Sequence, residues 1–110
     1  MALKTIHEAM ELATQQHQAG HFGDAEGIYR QILAQDPTHS DAMQRLGVLA
    51  LQAGQKAAAL KLIEQAIAIN PNVWEYHFHR GLALAGLGRF KDAIESHQRA
   101  LSFGQDYAEV

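Results

Sequence analysis

The strongest constraint on this chain is a repeat in the spacing of its small residues and its prolines. The two prolines, Pro37 and Pro71, lie 34 residues apart. The same step relates four further columns: Gly20, Gly54 and Gly88; Ala25, Ala59 and Ala93; Ala13, Gly47 and Gly81; and Leu33, Ile67 and Leu101. Columns that coincide at one spacing indicate a chain built from copies of one supersecondary unit.

Within each copy, the apolar residues follow a helical period. Leu46, Leu49, Ala50 and Ala53 occupy positions i, i+3, i+4 and i+7, and Gly54 follows where a helix end favours positive φ. The pattern predicts six helices, at residues 5–19, 22–35, 39–53, 56–69, 73–87 and 90–103. Because the loops are short, consecutive helices should be antiparallel neighbours, and each pair needs the next pair to bury its apolar face. The expected fold class is all-α, a solenoid of three helix-turn-helix units.

Three of the helix starts are predicted from capping boxes, in which a polar residue precedes an acid by three positions. The pairs are Thr5 with Glu8, Thr38 with Asp41 and Asn72 with Glu75. The prolines that precede Thr38 and Asn72 are compatible with a helix that has already ended. The sequence therefore places Thr38 and Asn72 at N-caps.

The charge balance and the lack of cysteine exclude several classes of function. Nine Lys and Arg against twelve Asp and Glu give a formal net charge of −3, which is not the basic footprint of a nucleic-acid-binding domain. With no cysteine, the chain has neither a disulfide framework nor a thiolate zinc site. No apolar run approaches the ~18 residues of a membrane span, and the N-terminal segment lacks the apolar stretch of a secretory signal. We therefore expect a cytoplasmic protein that binds neither nucleic acid nor membrane.

Histidine is frequent, with seven residues, but its spacing does not predict a metal centre. His77 and His79 are two positions apart and would point in nearly opposite directions on a helix. His17 and His21 have a ligand spacing, yet Gly20 lies between them at a predicted helix end. We expect no metal and no cofactor.

Catalytic motifs are also missing from the sequence. It contains no H-E-x-x-H, no P-loop and no G-x-S-x-G, and its serines have no definable His and Asp partners. The segment from Gly81 to Gly86 falls within a predicted helix, so we interpret its glycines as packing residues rather than as a phosphate loop. The sequence therefore predicts that the chain is not an enzyme.

The repeated columns also match a known pattern of small and large residues. The matching residues are Leu12, Ala13, Gly20, Phe22, Ala25, Tyr29 and Pro37 in the first unit; Leu46, Gly47, Gly54, Ala59, Ile63, Ala66 and Pro71 in the second; and Gly81, Gly88, Arg89, Phe90, Ala93, Ala100 and Leu101 in the third. A 34-residue helix-turn-helix unit with these columns resembles the tetratricopeptide repeat. His77 and His97 depart from it, because aromatic or aliphatic residues are usual at their positions.

The resemblance covers residues 6–107 and implies a right-handed α-solenoid. It implies a single domain over residues 1–110, with repeats at about 6–39, 40–73 and 74–107 and an incomplete continuation at 108–110. The stretches Ala25–Leu33 and Arg45–Ala50 also resemble the amino-terminal repeats of bacterial multidomain proteins, which often continue into a glycosyltransferase or sulfotransferase domain.

In this family the first helix of each unit lines a concave groove in which ligands usually lie. The resemblance thus implies a partner-binding surface made of Met10, Glu11, Thr14, Gln44, Arg45, Val48, Leu51, Phe78, His79 and Leu82. Phe78 and Arg45 are the strongest candidates, because aromatic and arginine side chains dominate interface hot spots. Trp74 is a further hot-spot candidate, or else it caps the seam between units. Met10 and Val48 have a second interpretation, as singly exposed apolar residues of the kind found on any surface.

Two ligand modes of the family do not fit these positions. The slots of a carboxylate clamp, which binds acidic C-terminal tails, hold Met10, Thr14, Arg45, Glu75 and His79, with one basic residue opposed by an acid. The slots of the asparagine ladder found in the O-linked N-acetylglucosamine transferase superhelix hold Glu11, Arg45 and His79. The expected partner is therefore a protein or peptide segment held mainly by apolar contacts.

The C-terminal end of the array raises an alternative function. A solenoid needs polar residues at its ends, yet the last predicted helix would expose Ile94 and Leu101. Either the chain is a fragment of a longer array, or this helix pairs with another copy of the chain. The alternative to a peptide-binding groove is thus a structural or oligomerising arm of a larger bacterial protein, for example a glycosyltransferase-type enzyme.

Overall fold

The computed structural model describes the backbone of residues 5–108 and the side chains of residues 5–104. These residues form six helices and no strand: α1 (Ile6–Gln18), α2 (Phe22–Gln35), α3 (Ser40–Gln52), α4 (Lys56–Ile69), α5 (Trp74–Gly86) and α6 (Phe90–Ala108). Within the described residues, none of the helices is long and apolar enough to cross a membrane. The helix boundaries predicted from periodicity are confirmed to within one residue, except at the end of α6.

The helices pack mainly against their neighbours in chain order. Contacts are most numerous within the pairs α1–α2, α3–α4 and α5–α6, and α2–α3 and α4–α5 join one pair to the next. This arrangement is the expected all-α solenoid, because each pair buries its apolar face against the following pair. Its dimensions are 45 × 31 × 25 Å.

The turn inside each helix pair has the same backbone geometry. Gly20, Gly54 and Gly88 have φ angles of 83°, 81° and 79°. The residue after each glycine donates its N–H to a carbonyl five positions back, as in the bond of 2.8 Å from Gln55 to Ala50. Glycine adopts this left-handed conformation without strain, which explains why glycine recurs every 34 residues in this column of the sequence.

The predicted N-caps are correct for α1 and wrong for α3 and α5. Thr5 caps α1, because its Oγ1 accepts the N–H of Glu8 at 3.0 Å. At α3 the cap is His39, whose Nδ1 accepts the N–H of Ala42 at 3.1 Å. Val73 is the N-cap residue of α5 and makes no side-chain capping bond.

Thr38 and Asn72, the residues after the two prolines, lie in the turns of the loops. The following helices therefore begin later than the capping boxes predict. The backbone N–H and the hydroxyl of Thr38 both donate to Oδ1 of Asp36, at 3.1 and 2.8 Å. Thr38 therefore closes a turn around Pro37 and is not free to cap α3. The sequence pattern alone does not distinguish a capping threonine from one held by an upstream carboxylate.

Small residues let the two helices of a pair approach closely. A Cβ at Gly47 would lie 2.7 Å from Cγ1 of Ile63 and 3.2 Å from the carbonyl oxygen of Ala59. Ala59 itself is fully buried, as are Ala13 and Ala25. The predicted packing role of these columns is confirmed.

The core is divided into clusters along the array. One cluster surrounds Tyr29 and Ile32, which are fully or almost fully buried, and includes Leu46 from α3. Another joins Leu60 of α4 to Ala83 and Leu84 of α5. Each cluster spans the seam between one helix pair and the next, so the seams hold the array together.

The last helix differs from its prediction. It continues through Gly104 to Ala108, whereas the sequence predicted an end at residue 103. Gly104 lies against Trp74, since a Cβ at this position would come 3.3 Å from Cγ of the indole. The glycine therefore serves as a contact site for Trp74 and not as a helix stop. Of the expected incomplete continuation at 108–110, residues 109–110 lie outside the described residues.

Candidate functional site

The candidate site is a concave surface formed by α1, α3 and α5, which we call the groove. It consists of two adjoining clefts. The first lies between α1 and α3 and is lined by Ile6, His7, Met10, Glu11, Thr14, Gln15, His39, Asp41 and Arg45. The second lies between α3 and α5 and is lined by His17, Asp41, Gln44, Arg45, Val48, Val73, Glu75, Tyr76 and His79. Arg45 and Asp41 belong to both clefts and thus occupy the middle of the groove.

The structure brings seven of the candidate residues together and separates the others. Those in the two clefts are Met10, Glu11, Thr14, Gln44, Arg45, Val48 and His79. Leu51 packs beside the cluster that contains Leu60 and Leu84. Leu82 is 40% exposed on α5, outside both clefts.

Phe78 and Trp74 form an aromatic group near α6 and do not line either cleft. The ring of Phe78 stacks on His97 of α6 with centroids 5.7 Å apart, and Trp74 meets Phe78 edge to face at 6.3 Å. Trp74 also lines a separate cleft with Phe103. These contacts all lie within the α5–α6 pair, so Trp74 packs inside the third unit and lies neither in the groove nor at a seam between two pairs.

Arg45 supplies a fixed positive charge at the centre of the groove. Its Nε donates to Oδ2 of Asp41 at 3.2 Å, one helical turn earlier on α3. Burial alone would lower the pKa of Arg45, but the Asp41 carboxylate and the nearby Tyr29 hydroxyl raise it above its ordinary value. The Tyr29 hydroxyl is buried and has no hydrogen-bond partner among the described residues. The guanidinium is therefore always charged, and Asp41 neutralises much of its field.

His79 is held in the groove by α3 and by its own helix. Its Nδ1 lies 2.8 Å from the carbonyl oxygen of Glu75 and 2.6 Å from Nε2 of Gln44, so it either donates to the carbonyl oxygen or accepts from the amide N–H, according to the tautomer. Burial lowers the pKa of His79 and outweighs the opposing effect of Glu75. The imidazole is thus uncharged at neutral pH.

Gln44 supports the groove from beneath and offers little surface to a ligand. It is only 5% exposed, and its amide is occupied by His79. Sequence periodicity placed it on the groove side of α3 but could not show that α5 covers it. Its contact with His79 makes it a positioning residue for α5.

Tyr76 is a groove residue that the sequence analysis missed. Its ring is 3% exposed, and its hydroxyl lies 3.1 Å from Oγ of Ser40, which links α5 to the start of α3. Burial raises the pKa of the Tyr76 phenol, so the hydroxyl stays protonated. The sequence contained one indication that this position is unusual: it holds a tyrosine, whereas the equivalent position of the preceding unit holds Ala42.

The groove has an excess of negative charge. Glu11 pairs with His7 at 3.0 Å, Asp41 pairs with Arg45, and Glu75 has no ion-pair partner among the described residues. With His79 uncharged, three carboxylates therefore face one permanent cation. The apolar surface between them is contributed by Met10 and Val48, which are both partly buried.

The other polar residues singled out in the sequence have structural partners. His17 bonds Gln52 at 2.8 Å, and His21 bonds Gln16 at 2.7 Å. His77 donates from Nε2 to the carbonyl oxygen of Pro71 at 2.7 Å. No three His, Asp or Glu side chains in the described part of the chain are placed to hold a metal ion together.

Comparisons with known proteins identify the relatives of this architecture. Residues 16–80 match the family model described as tetratricopeptide repeat. The tetratricopeptide repeat-containing protein trd-1 of Caenorhabditis elegans is 30% identical over 87 residues, which are 76% of this chain and 11% of trd-1. The chain thus spans a small part of that relative's length.

Two solved structures show the same helical array. The O-GlcNAc transferase of Thermobaculum terrenum superposes with a TM-score of 0.91 at 27% identity, over 97% of this chain and 21% of that protein. The type III secretion chaperone SycD of Yersinia enterocolitica, in complex with a peptide of the translocator YopD, superposes with a TM-score of 0.84 at 20% identity, over 93% of this chain and 78% of that one. At this identity, the likeness to SycD establishes the fold alone.

Proposed function

Because this chain belongs to the tetratricopeptide repeat family, we propose that it is a protein-interaction module whose groove binds a segment of a partner protein. The three helix pairs correspond to repeats at about 6–39, 40–73 and 74–107, which act together as one domain. The chain itself performs no catalysis in this proposal. The observation that carries it is the pair of adjoining clefts across α1, α3 and α5, in which apolar and charged side chains lie side by side.

The groove favours a partner segment that combines apolar and basic residues. Met10 and Val48 supply apolar contact, and the carboxylates of Glu11 and Glu75 lie at its two ends. Neither carboxylate is paired with Arg or Lys among the described residues. A cationic side chain would gain from both ends, whereas an acidic tail would meet three carboxylates and a single arginine already paired with Asp41.

A peptide in complex with the chaperone SycD supports this mode of binding by analogy of fold. The proposed contact residues are Met10, Glu11, Thr14, Arg45, Val48 and His79, together with Asp41 and Glu75, which line the second cleft. Gln44 and Tyr76 hold the surface in place, and Phe78, Leu82, Leu51 and Trp74 contribute at the margin or not at all.

Selection from a random peptide library displayed on phage tests the proposal directly. We expect the enriched peptides to combine Lys or Arg with aliphatic residues, and their affinity to fall as salt is raised. The affinity of a selected peptide should fall at least several-fold for Glu75→Gln and for Val48→Ser. Glu26→Gln on α2 removes the same charge as Glu75→Gln outside the groove and should leave the affinity unchanged.

Two results would contradict the proposal. If Glu26→Gln weakened binding as much as Glu75→Gln, the peptides would be recognising net charge and not the groove. If the selected peptides were acidic, the inferred chemistry of the partner would be wrong even though the groove bound them.

A structural or oligomerising arm of a larger protein is a second candidate function. It is supported by the exposed apolar side chains of α6 and by the likeness to the O-GlcNAc transferase of Thermobaculum terrenum, of which this chain matches only a part. The two functions are compatible, because the groove lies on α1, α3 and α5 and the exposed face lies on α6.

A further inference from the structure

A further cleft lies between α4 and α6, against a different side of α5 from the groove. It shares no lining residue with the two clefts of the groove. Its volume is about 410 Å³, within the range of about 300–1,000 Å³ that is typical of small-molecule sites. We call it the rear cleft, and the residues that give it its character are Glu64 and Ile67 of α4, Arg80 of α5, and Glu95, Ser96 and Arg99 of α6.

The rear cleft carries polar residues at positions that are apolar in the preceding unit. A step of 34 residues takes Leu46 to Arg80 and Leu62 to Ser96. Leu46 and Leu62 belong to the core cluster around Tyr29, which fills the seam between the first two helix pairs. Departures from an otherwise consistent packing pattern concentrate at functional sites. The joint exchange of two leucines for an arginine and a serine therefore marks the rear cleft as a candidate binding site.

The rear cleft contains hydrogen-bond donors that the protein itself does not use. Arg80 donates from Nε to Glu64 at 3.1 Å and from Nη1 to Ser96 at 2.6 Å, which leaves Nη2 without an acceptor in the described part of the chain. Ser96 is 1% exposed and accepts this bond, but its own O–H has no acceptor among the described residues. Arg99 forms no ion pair within residues 5–104, although Glu95 stands one helical turn away. Guanidinium and hydroxyl donors of this kind bind carboxylates.

The charges of the rear cleft limit the net charge of its ligand. Arg80 and Arg99 are balanced by Glu64 and Glu95, and His77 adds no permanent charge. A phosphate would bring about two negative charges into this balanced lining, where both glutamates would repel it. A zwitterion would instead place its carboxylate at the arginines and its ammonium at Glu95, which pairs with no cation among the described residues.

We propose that the rear cleft binds a free amino acid with an aliphatic side chain. The carboxylate of the ligand accepts from the unused donors of Arg80 and Arg99, and its ammonium lies beside Glu95. Its side chain packs on the aliphatic wall that Ile67 and Ala68 form near the end of α4. One ligand thereby meets each of the three kinds of surface that line the rear cleft.

The rear cleft does not depend on where the array ends. The residues of α4 that correspond to Glu95 and Arg99 are Lys61 and Gln65, and both are exposed although a third helix pair follows α4. A further helix pair after α6 would therefore leave Glu95 and Arg99 open in the same way. The proposal is also independent of peptide binding in the groove, because the two sites share no residue. Either can fail without the other.

Titration of the isotopically labelled chain with L-leucine, followed by NMR, tests the proposal. We expect saturable shifts of the Arg80, Ser96 and Arg99 amide signals between about 0.1 and about 20 mM leucine, a range that covers weak binding of a small ligand. Leucinamide, which lacks the carboxylate, and N-acetyl-leucine, which lacks the ammonium, should each bind at least tenfold more weakly. Equal binding of either analogue, or the absence of saturable shifts with leucine, would overturn the proposal.

Charge removal on α6 tests the location of the site. Arg99→Gln should raise the dissociation constant for leucine at least tenfold, because it removes a guanidinium that faces the ligand. Arg89→Gln is the matched control, since Arg89 is an exposed arginine next to the start of α6 and does not line the rear cleft. Its dissociation constant should equal that of the parent chain. Equal weakening by both variants would show that leucine responds to net charge and would count against the rear cleft.

A double variant that copies the preceding unit provides a second test. Arg80→Leu combined with Ser96→Leu installs the residues found at Leu46 and Leu62, which already pack together in the first seam. Because the buried hydroxyl and its donor are removed together, neither is left unsatisfied. Circular dichroism should show this variant folded, and its leucine binding should be lost. Leucine binding at the parent affinity would mean that the rear cleft is not the site.

Discussion

The imidazole of His97 occupies the space that a side chain at Gly81 would need. A Cβ built on Gly81 would overlap the His97 ring and would come 3.3 Å from the carbonyl oxygen of Ala93. The ring has little room to move, because it also stacks on Phe78. A histidine replaces the usual apolar residue at this position of the third unit, and the glycine opposite makes room for it.

Gly81→Ala should therefore destabilise the protein even though alanine is the better helix former. Overpacking against a held ring costs about 1–3 kcal/mol, which exceeds the gain in helix propensity. Gly27→Ala in α2 is the matched control, since a Cβ there would meet nothing within 4 Å. It should stabilise the fold by about 0.5–1 kcal/mol. Urea unfolding of the two variants measures both effects, and equal shifts would contradict the packing of His97.

Arg80 should matter more than the other paired arginines on the surface. Its guanidinium donates to Glu64 of α4 at 3.1 Å and to the hydroxyl of Ser96 on α6 at 2.6 Å. Because Ser96 is 1% exposed, Arg80→Leu would leave a buried hydroxyl without its donor, at about 1–3 kcal/mol. Arg30→Leu removes an exposed pair with Glu26 within one helix and should cost about 0.5 kcal/mol or less. Thermal unfolding of both variants checks the order.

The corrected N-caps can be tested by a pair of alanine substitutions. Thr5→Ala removes the acceptor for the N–H of Glu8 and should cost about 1 kcal/mol. Asn72→Ala should change the free energy of unfolding by less than about 0.5 kcal/mol, because Val73 is the N-cap residue of α5. If Asn72→Ala cost as much as Thr5→Ala, the capping box predicted from the sequence would be right after all.

His79 should make stability depend on pH in the acidic range. Burial in the groove lowers its pKa below the unfolded value of 6.5, so the folded state favours the uncharged ring. Its contribution to stability is complete above pH 6.5 and is lost as the pH falls through the lower folded pKa. The difference in unfolding free energy between the parent and His79→Gln should therefore shrink as the solution is acidified. The other six histidines are common to both proteins and cancel in this difference. An imidazole titration by NMR with a midpoint at or above 6.5 for His79 would rule out the effect.

The repeat made most of the fold predictable from the sequence. Gly20, Gly54 and Gly88 mark the turns because few other residues tolerate their φ angles, and small residues such as Gly47 mark the closest helix contacts. The end of α6 was predicted too early, at residue 103 instead of Ala108, and Gly104 shows that a glycine does not by itself mark a helix end. A glycine ends a helix when its φ is positive, and it accepts a neighbour when a side chain such as Trp74 packs over it.

The candidate site was predicted less completely, because periodicity shows which side of a helix a residue occupies but not how deep it lies. Gln44 and Val48 stand on the same side of α3, yet only Gln44 is sealed under α5. Phe78 projects towards His97 instead of the clefts because α6 presents a ring for it to stack on. Depth and direction depend on the partner helix, whose contacting residue lies 19 or more positions away in the sequence.

The identical turns at Gly20, Gly54 and Gly88 make the units interchangeable. Each turn is closed by bonds to its own preceding helix, so its geometry requires nothing from the rest of the array. A 34-residue segment that runs from one of these glycines to the next could be duplicated or deleted. The backbone at each new junction would then have the same turn geometry as the existing turns. Chains of this kind can grow or shrink by whole units during evolution or in the laboratory, and the terminal faces alone have to be adjusted to the new length.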